Sequence, residues 1–289
     1  MNNPNILKRK KTLLRKLSNI AVNCFCLLSI SLALWAMYRI LYTVWQHGSD
    51  ALTWEFLTEP SKPYGEPHAG IANALLGTLY MTFGAACMAI LPAVAAGVWL
   101  AEFGKTGKLA TALRFCGNVL MGVPSIIIGL FVYVLIVIPA GHFSGWAGSV
   151  ALAIIMFPVI MRTTEDSLNM VPNTLRESAL ALGMTRLRAT LCIVARSAKN
   201  GLITGILLSL ARVSGETAPL LFTALFADTY PKHFFEQPTA SVPVLINEYT
   251  NNSPFESMHH MGWGAALVIA MGILLINILT RIIFHENKH

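Results

Sequence analysis

Four long stretches of this chain contain no Asp, Glu, Lys or Arg: Ile20–Tyr38, Ile71–Ala101, Phe115–Met161 and Met261–Thr280. No other feature constrains its folding as much. About 20 apolar residues in a helix cross the hydrocarbon core of a bilayer. Phe115–Met161 is long enough for two crossings, with a break at Pro139-Ala140-Gly141-His142. A fifth stretch, Gly201–Leu225, is apolar apart from Arg212 and Glu216. Six spanning helices are therefore expected. They must be helices because backbone polar groups in hydrocarbon need partners within their own segment, and nothing alternates with the period of a barrel strand. The composition agrees: 55% of the 289 residues are hydrophobic and 12% are charged, against about 25% charged in a soluble domain. A soluble enzyme of this length, a disordered chain and a disulfide-stapled module are all excluded.

The charges that remain sort by side. Basic residues gather at the N-terminus (Lys8, Arg9, Lys10, Lys11, Arg15, Lys16), between helices 2 and 3 (Lys105, Lys108, Arg114), between helices 4 and 5 (Arg162, Arg176, Arg186, Arg188, Arg196, Lys199) and at the C-terminus (Arg281, Lys288). The alternate loops are acidic: Asp50, Glu55, Glu59 and Glu66 after helix 1, then Asp228, Glu236, Glu248 and Glu256 after helix 5. The positive-inside rule then places both termini in the cytoplasm. The net charge of +7 is thus a topology signal, and no nucleic-acid partner is expected. Arg39, near the outer end of helix 1, is placed to snorkel. The first apolar stretch is too long for a signal peptide and lacks a small-residue cleavage site, so it reads as a retained helix. None of the five cysteines falls in an acidic outer loop, so no disulfides are expected.

The expected organisation is a basic N-terminus over residues 1–19, a first helix over 20–42, an outer (periplasmic) loop over 43–69, and a membrane core over 70–284. Core helices are expected at about 73–100, 115–138, 146–163, 201–226 and 261–283, with an inner loop over 164–199. No internal repeat is visible, which argues against a tandem inverted-repeat carrier. Two motifs fail. Gly104-Lys105-Thr106 resembles the end of a phosphate-binding loop, but the pattern needs glycine where Trp99 stands, and no strand precedes it. His259 and His260 are adjacent and so face different ways, which suits a solvated loop better than a metal. No metal or cofactor is expected on the chain.

Arg212 and Glu216 are four residues apart, so on one helix both project from the same face. A charge in a span costs about 2.5–3.5 kcal/mol on insertion scales, so such groups face the bundle or a wet cavity. Two roles fit: a self-neutralising pair that fixes packing, or an oxyanion site. A guanidinium matches phosphate oxygens in a planar fork. Glu216 would accept the O–H of hydrogen phosphate and repel sulfate, which has none to give. Ser214 and Thr217 add hydroxyls beside the pair, while Gly215 and Pro219 loosen or kink the helix. Arg162, at the inner end of helix 4, is either a positive-inside anchor or a second anion contact near the exit.

The inner loop is too long for a mere connector. Pro172 and Asn173 can start a helix there and Gly183 can end it. Glu177-Ser178-Ala179, three residues, Gly183, nine residues and Ile193 resemble the "EAA" loop of binding-protein-dependent ABC importer permeases, whose pattern is E-A-A, x3, G, x9, I-x-L-P. This chain has Ser178 for the first Ala and Ala195-Arg196 for Leu-Pro, with the spacing intact. Further segments resemble the phosphate-transport permeases of that family. These are Arg162-Thr163-Thr164-Glu165, the run Leu175–Gly183, Pro124-Ser125-Ile126, His142–Gly148 and above all Ala211-Arg212-Val213-Ser214-Gly215-Glu216-Thr217-Ala218-Pro219. The matching pieces run from about Gly70 to the C-terminus.

The resemblance implies an all-α, six-helix permease of the type I ABC importer fold in a bacterial inner membrane, without an ATPase site of its own. It implies a second homologous permease, a dimer of ATP-binding subunits holding ATP and Mg, a periplasmic phosphate-binding protein, and surrounding lipids. Thr174–Gly183 would be the coupling helix that docks on the ATPase through Glu177, Ser178, Ala179 and Gly183; the alternative is an ordinary amphipathic loop helix. Two rivals for the function are import of another oxyanion such as phosphonate, and proton-coupled secondary transport with Glu216 as the carrier. The second would not need the EAA loop. An intramembrane enzyme would need a nucleophile and base at one depth, and none is found.

Overall fold

The computed structural model describes residues 4–63, 69–104 and 107–283. Glu66, Lys105, Thr106, Phe284 and Lys288 lie outside the described residues, and Lys8, Arg9, Lys10, Lys11 and Arg281 are described by their backbone alone. In chain order the helices are α1 (Pro4–Gly48), α2 (Trp54–Thr58), α3 (Ala72–Val98), α4 (Lys108–Gly122), α5 (Ser125–Val132), α6 (Ile138–Ala140), α7 (Gly145–Asn169), α8 (Asn173–Ala181), α9 (Arg186–Ala189), α10 (Ala195–Ser197), α11 (Lys199–Val213), α12 (Ala218–Leu221), α13 (Val242–Asn247) and α14 (Glu256–Ile283). Four π-turns, at Trp99–Phe103, Tyr133–Val137, Thr190–Val194 and Glu248–Asn252, extend or join them. Among the described residues the fold is entirely helical.

Four helices are long and apolar enough to cross a membrane, and six if each of two bent pairs counts as one span. Two of the spans expected from the sequence are interrupted. The span at 115–138 is a pair, α4 and Ser125–Ala140, bent by 103°. Pro124 has no N–H and pushes Val123 out of the helical region; both residues are extended, at ψ 130 and 134°. The helix expected over 201–226 is α11, which ends at Val213, followed by a turn and the four-residue α12. Arg186–Ser197 leads into α11 through a 70° bend. The span expected over 146–163 runs on to Asn169, because charged residues past the apolar stretch find partners there.

α3 and α7 form the centre. They run parallel and close: a Cβ on Gly84 would fall 2.8 Å from Ser149 Oγ, and one on Gly97 would fall 2.6 Å from the Met161 carbonyl. Only glycine lets the two backbones approach so near. α11 packs on the same α7 in the opposite direction, since Gly205 abuts Thr163 and Gly201 abuts Ser167. Met81, Leu152, Met156, Ile160, Val213 and Leu220 fill the core between these helices.

The outer loop after α12 is only partly a loop. Residues 239–245 are buried. Thr239 N–H donates to the Ala224 carbonyl at 3.0 Å, and Val242 N–H donates to Thr78 Oγ1 at 2.9 Å. Ser241 caps α13 and Pro243 sits in its first turn. α1 stands apart: its apolar window is unburied, and it touches α14 through His47 against Trp263 and Gly48 against Trp263 and Leu267.

Candidate functional site

The proposed pathway residues fall on the turn that ends α11. Arg212 is in its last turn and Glu216 lies past it. The helix tightens as it stops: Gly215 N–H donates to the Arg212 carbonyl and Glu216 N–H to the Val213 carbonyl, at 3.2 and 3.1 Å. Ser214 Oγ donates back to the Ala211 carbonyl at 2.9 Å. Thr217 then precedes α12 without a side-chain capping bond, and Pro219 in its first turn has no N–H to offer. Arg212 and Glu216 do meet, but across a helix end and loosely. Arg212 Nε stands 3.9 Å from Glu216 Oε1, and the two side chains are 56% and 17% exposed. That separation exceeds hydrogen-bond reach. Among the described residues no hydrogen bond is recorded for the guanidinium.

The depth of this pair follows from the α7–α11 register. Thr163 is level with Gly205 and Ser167 with Gly201, so Arg212 is level with Met156, halfway along α7. Arg162 is level with Ile206, six residues away, or about 9 Å along the axis toward the inner side. The two arginines therefore stand at different depths. Arg162 is not at a helix end, as the sequence reading had it, but two turns inside α7. Its Nε donates to Asp166 Oδ2 at 3.1 Å, and its Nη1 is 3.9 Å from Glu165. From Gly201 onward the exposed residues of α11 fall on one stripe: Gly201, Thr204, Leu208, Arg212 and then Gly215. Arg212 thus lies on an open helix face that the other described residues leave uncovered.

At the inner side, α8 is held with one face down. Ala179 is buried, while Glu177 and Ser178 are exposed and Leu182 is 84% exposed. Gly183 ends the helix at φ +80°, a conformation that costs other residues about 1–2 kcal/mol. Its N–H donates to the Leu180 carbonyl at 2.9 Å, and Met184 N–H donates to the Ala179 carbonyl at 3.2 Å. Met170, Leu175, Leu182, Leu187 and Leu191, in and flanking α8 and α9, leave apolar surface exposed.

The sequence reading missed the polar bracing of this side. Arg114 Nε donates to the buried Glu165 at 2.7 Å. Glu102, also buried, holds Arg176 at 2.7 Å. Glu102 and Glu165 did carry a signal. They are carboxylates on the side where the charge bias collects cations, and a buried carboxylate there needs an arginine. No group of three or more potential metal ligands exists among the described residues.

Long apolar helices around a braced inner loop define a multi-pass membrane protein. Residues 93–285 match the family described as "Binding-protein-dependent transport system inner membrane component", and the chain belongs to that family. Curated relatives named for phosphate transport match over most of the chain. The "Phosphate transport system permease protein PstA" of Pasteurella multocida is 41% identical over 95% of this chain and 97% of its own length. That of Haemophilus influenzae is 40% identical over 95% and 96%. The probable PstA of Methanocaldococcus jannaschii is 35% identical over 86% and 88%. Among solved structures, an inward-facing MetNI methionine ABC transporter superposes with a TM-score of 0.60 at 18% identity. It covers 73% of this chain and 93% of the matched chain. At that identity the likeness speaks for the fold.

Proposed function

We propose that this chain is one of two permease subunits of an ATP-driven phosphate importer in a bacterial inner membrane. The observation that carries the substrate is Arg212. A guanidinium at mid-depth, more than half exposed and only loosely matched to Glu216 at 3.9 Å, retains donors for a passing oxyanion. Identity of about 40% to phosphate permeases over nearly the full chain supports the same reading.

The open stripe of α11 faces a second, homologous permease, and the pathway runs between the two. A periplasmic phosphate-binding protein delivers the ion from the outer side. Glu177, Ser178, Ala179 and Gly183, with the apolar side chains around them, present the docking surface for a dimer of ATPase subunits that carry ATP and Mg. Hydrolysis belongs to those subunits. Coupling requires that inward- and outward-facing states differ in contact free energy at that surface. Glu216 sets the choice of ion by accepting the O–H of hydrogen phosphate and keeps Arg212 from holding it too tightly.

The test is uptake into liposomes that hold the whole complex. Arg212→Ala is expected to cut phosphate uptake by about thirtyfold or more. Glu216→Gln is expected to lower the preference for phosphate over sulfate by about tenfold or more. Undiminished phosphate uptake together with undiminished rejection of sulfate in Glu216→Gln removes that residue from selection. Undiminished uptake in Arg212→Ala removes the site.

A further inference from the structure

Resting on the reading of α8 as the surface that meets the ATPase, we infer that the Glu102–Arg176 ion pair is the strut that carries movement of α8 into the membrane helices. Both are positioning residues for energy coupling.

Arg176 uses all five of its N–H donors. Nε donates to Glu102 Oε1 at 2.9 Å and Nη2 to the same oxygen at 2.7 Å. The second Nη2 donor reaches the Leu168 carbonyl at 2.7 Å. Nη1 reaches the Val171 carbonyl at 2.5 Å and Asn173 Oδ1 at 3.3 Å. One side chain thus joins α8 to the π-turn that ends α3, to the Leu168 carbonyl in the last turn of α7 and to the Val171 carbonyl just past it. The Leu168 carbonyl also accepts from Val171 N–H at 3.2 Å, and a carbonyl oxygen has room for both donors. Arg186 adds a second tie, donating from Nη2 to the Glu102 carbonyl at 2.6 Å while stacking over Phe103.

Packing alone does not hold α8. It has nine residues, and Ala179 is its buried one. A cavity of about 280 Å³, lined by Glu102, Arg176, Leu180, Arg186, Thr190 and Val194, lies between it and part of the helix that leads to α11. The polar bridges run beside this cavity to the π-turn after α3 and to the end of α7, so displacement of α8 against those helices passes through them. They form a rigid link. Glu102 and Arg176 are 5% and 13% exposed, and separating a buried pair leaves an uncompensated charge, which is strongly unfavourable. The exposed Arg162–Asp166 pair, at 45% and 48%, contributes little by comparison. The outward neighbour of Arg176 is Glu177, so consecutive residues of one short helix face the ATPase and grip the bundle.

The experiment measures ATP hydrolysed per phosphate imported, with the complete complex in liposomes. Glu102→Gln keeps the shape and removes the charge. It is expected to raise that ratio about threefold to tenfold while hydrolysis continues. Uptake and hydrolysis falling in equal proportion, as fewer assembled complexes would give, overturns the inference, as does an unchanged ratio. Should Glu102→Gln fail to assemble in detergent, Arg176→Lys is measured instead. It keeps the charge but not the five-donor fork, and the same rise is expected and the same unchanged ratio overturns the strut. The parent complex reports separately on the underlying reading. If it shows no ATP-dependent phosphate uptake at all, the proposed function fails rather than the strut.

Discussion

Arg212 and Arg176 are both arginines in a largely apolar chain, and their surroundings give them opposite tasks. Arg176 has every donor filled by Glu102, Asn173 and two backbone carbonyls, so it is spent on structure. Among the described residues Arg212 pairs only with Glu216, at 3.9 Å, and on the proposed function its donors serve the passing ion. The difference yields a prediction at this scale. Arg212→Lys preserves the charge but not the planar fork, and it is expected to raise the KM for phosphate about tenfold, measured as initial uptake against external phosphate. The sequence exposed Arg212 readily, because a charge inside an apolar stretch is conspicuous. It hid Arg176, because an arginine in a basic loop looks like every other one. Its partner Glu102 sits next to the apolar stretch Ile71–Ala101 and reads as a helix boundary until the fold brings residue 176 to it.

Helices were legible wherever the apolar pattern was uninterrupted, as in α3, α7 and α14. Their bends were not. Pro124 stands in a family-like motif in the middle of an apolar stretch, which says nothing of direction, yet it turns one expected span through 103°. The end of α11 was also hidden: Gly215 and Pro219 were read as loosening a helix that in fact stops at Val213. The buried segment 239–245 lies in a region whose acidic flanks suggested an exposed loop, and only tertiary contacts with Thr78 and Ala224 reveal it. Two predictions belong to elements. Gly97→Val puts a side chain against the Met161 carbonyl and Thr164. Overpacking of this kind costs about 1–3 kcal/mol and is expected to lower the thermal unfolding midpoint in detergent. Gly183→Val forces a branched residue to φ +80° and is expected to destabilise the end of α8 by about 1–2 kcal/mol. ATP-dependent uptake should fall while the unfolding midpoint of the isolated permease stays close to that of the parent.

Over the whole molecule, apolar side chains remain outside. Phe25, Leu28 and Trp35 of α1, Phe131 and Leu135 along the second bent segment, and Leu274 and Leu275 of α14 are all exposed. Such extensive apolar surface marks contact with lipid or with other subunits. The charge bias fixes how the chain sits within that surround, and Cys192 tests it. It is exposed in the π-turn between α9 and α10, on the side rich in arginine. A membrane-impermeant thiol reagent is expected to label Cys192 in inside-out vesicles and to leave it unlabelled in right-side-out ones; the opposite pattern reverses the orientation. The uncovered stripe of α11 bears on the cell's safety during assembly. On the proposed function a second permease covers it, so a single copy supplies one bank of a channel and no opposite bank, and water is not enclosed along it. A subunit waiting in the bilayer for that proposed mate therefore offers protons no conduit, and the membrane potential survives the wait.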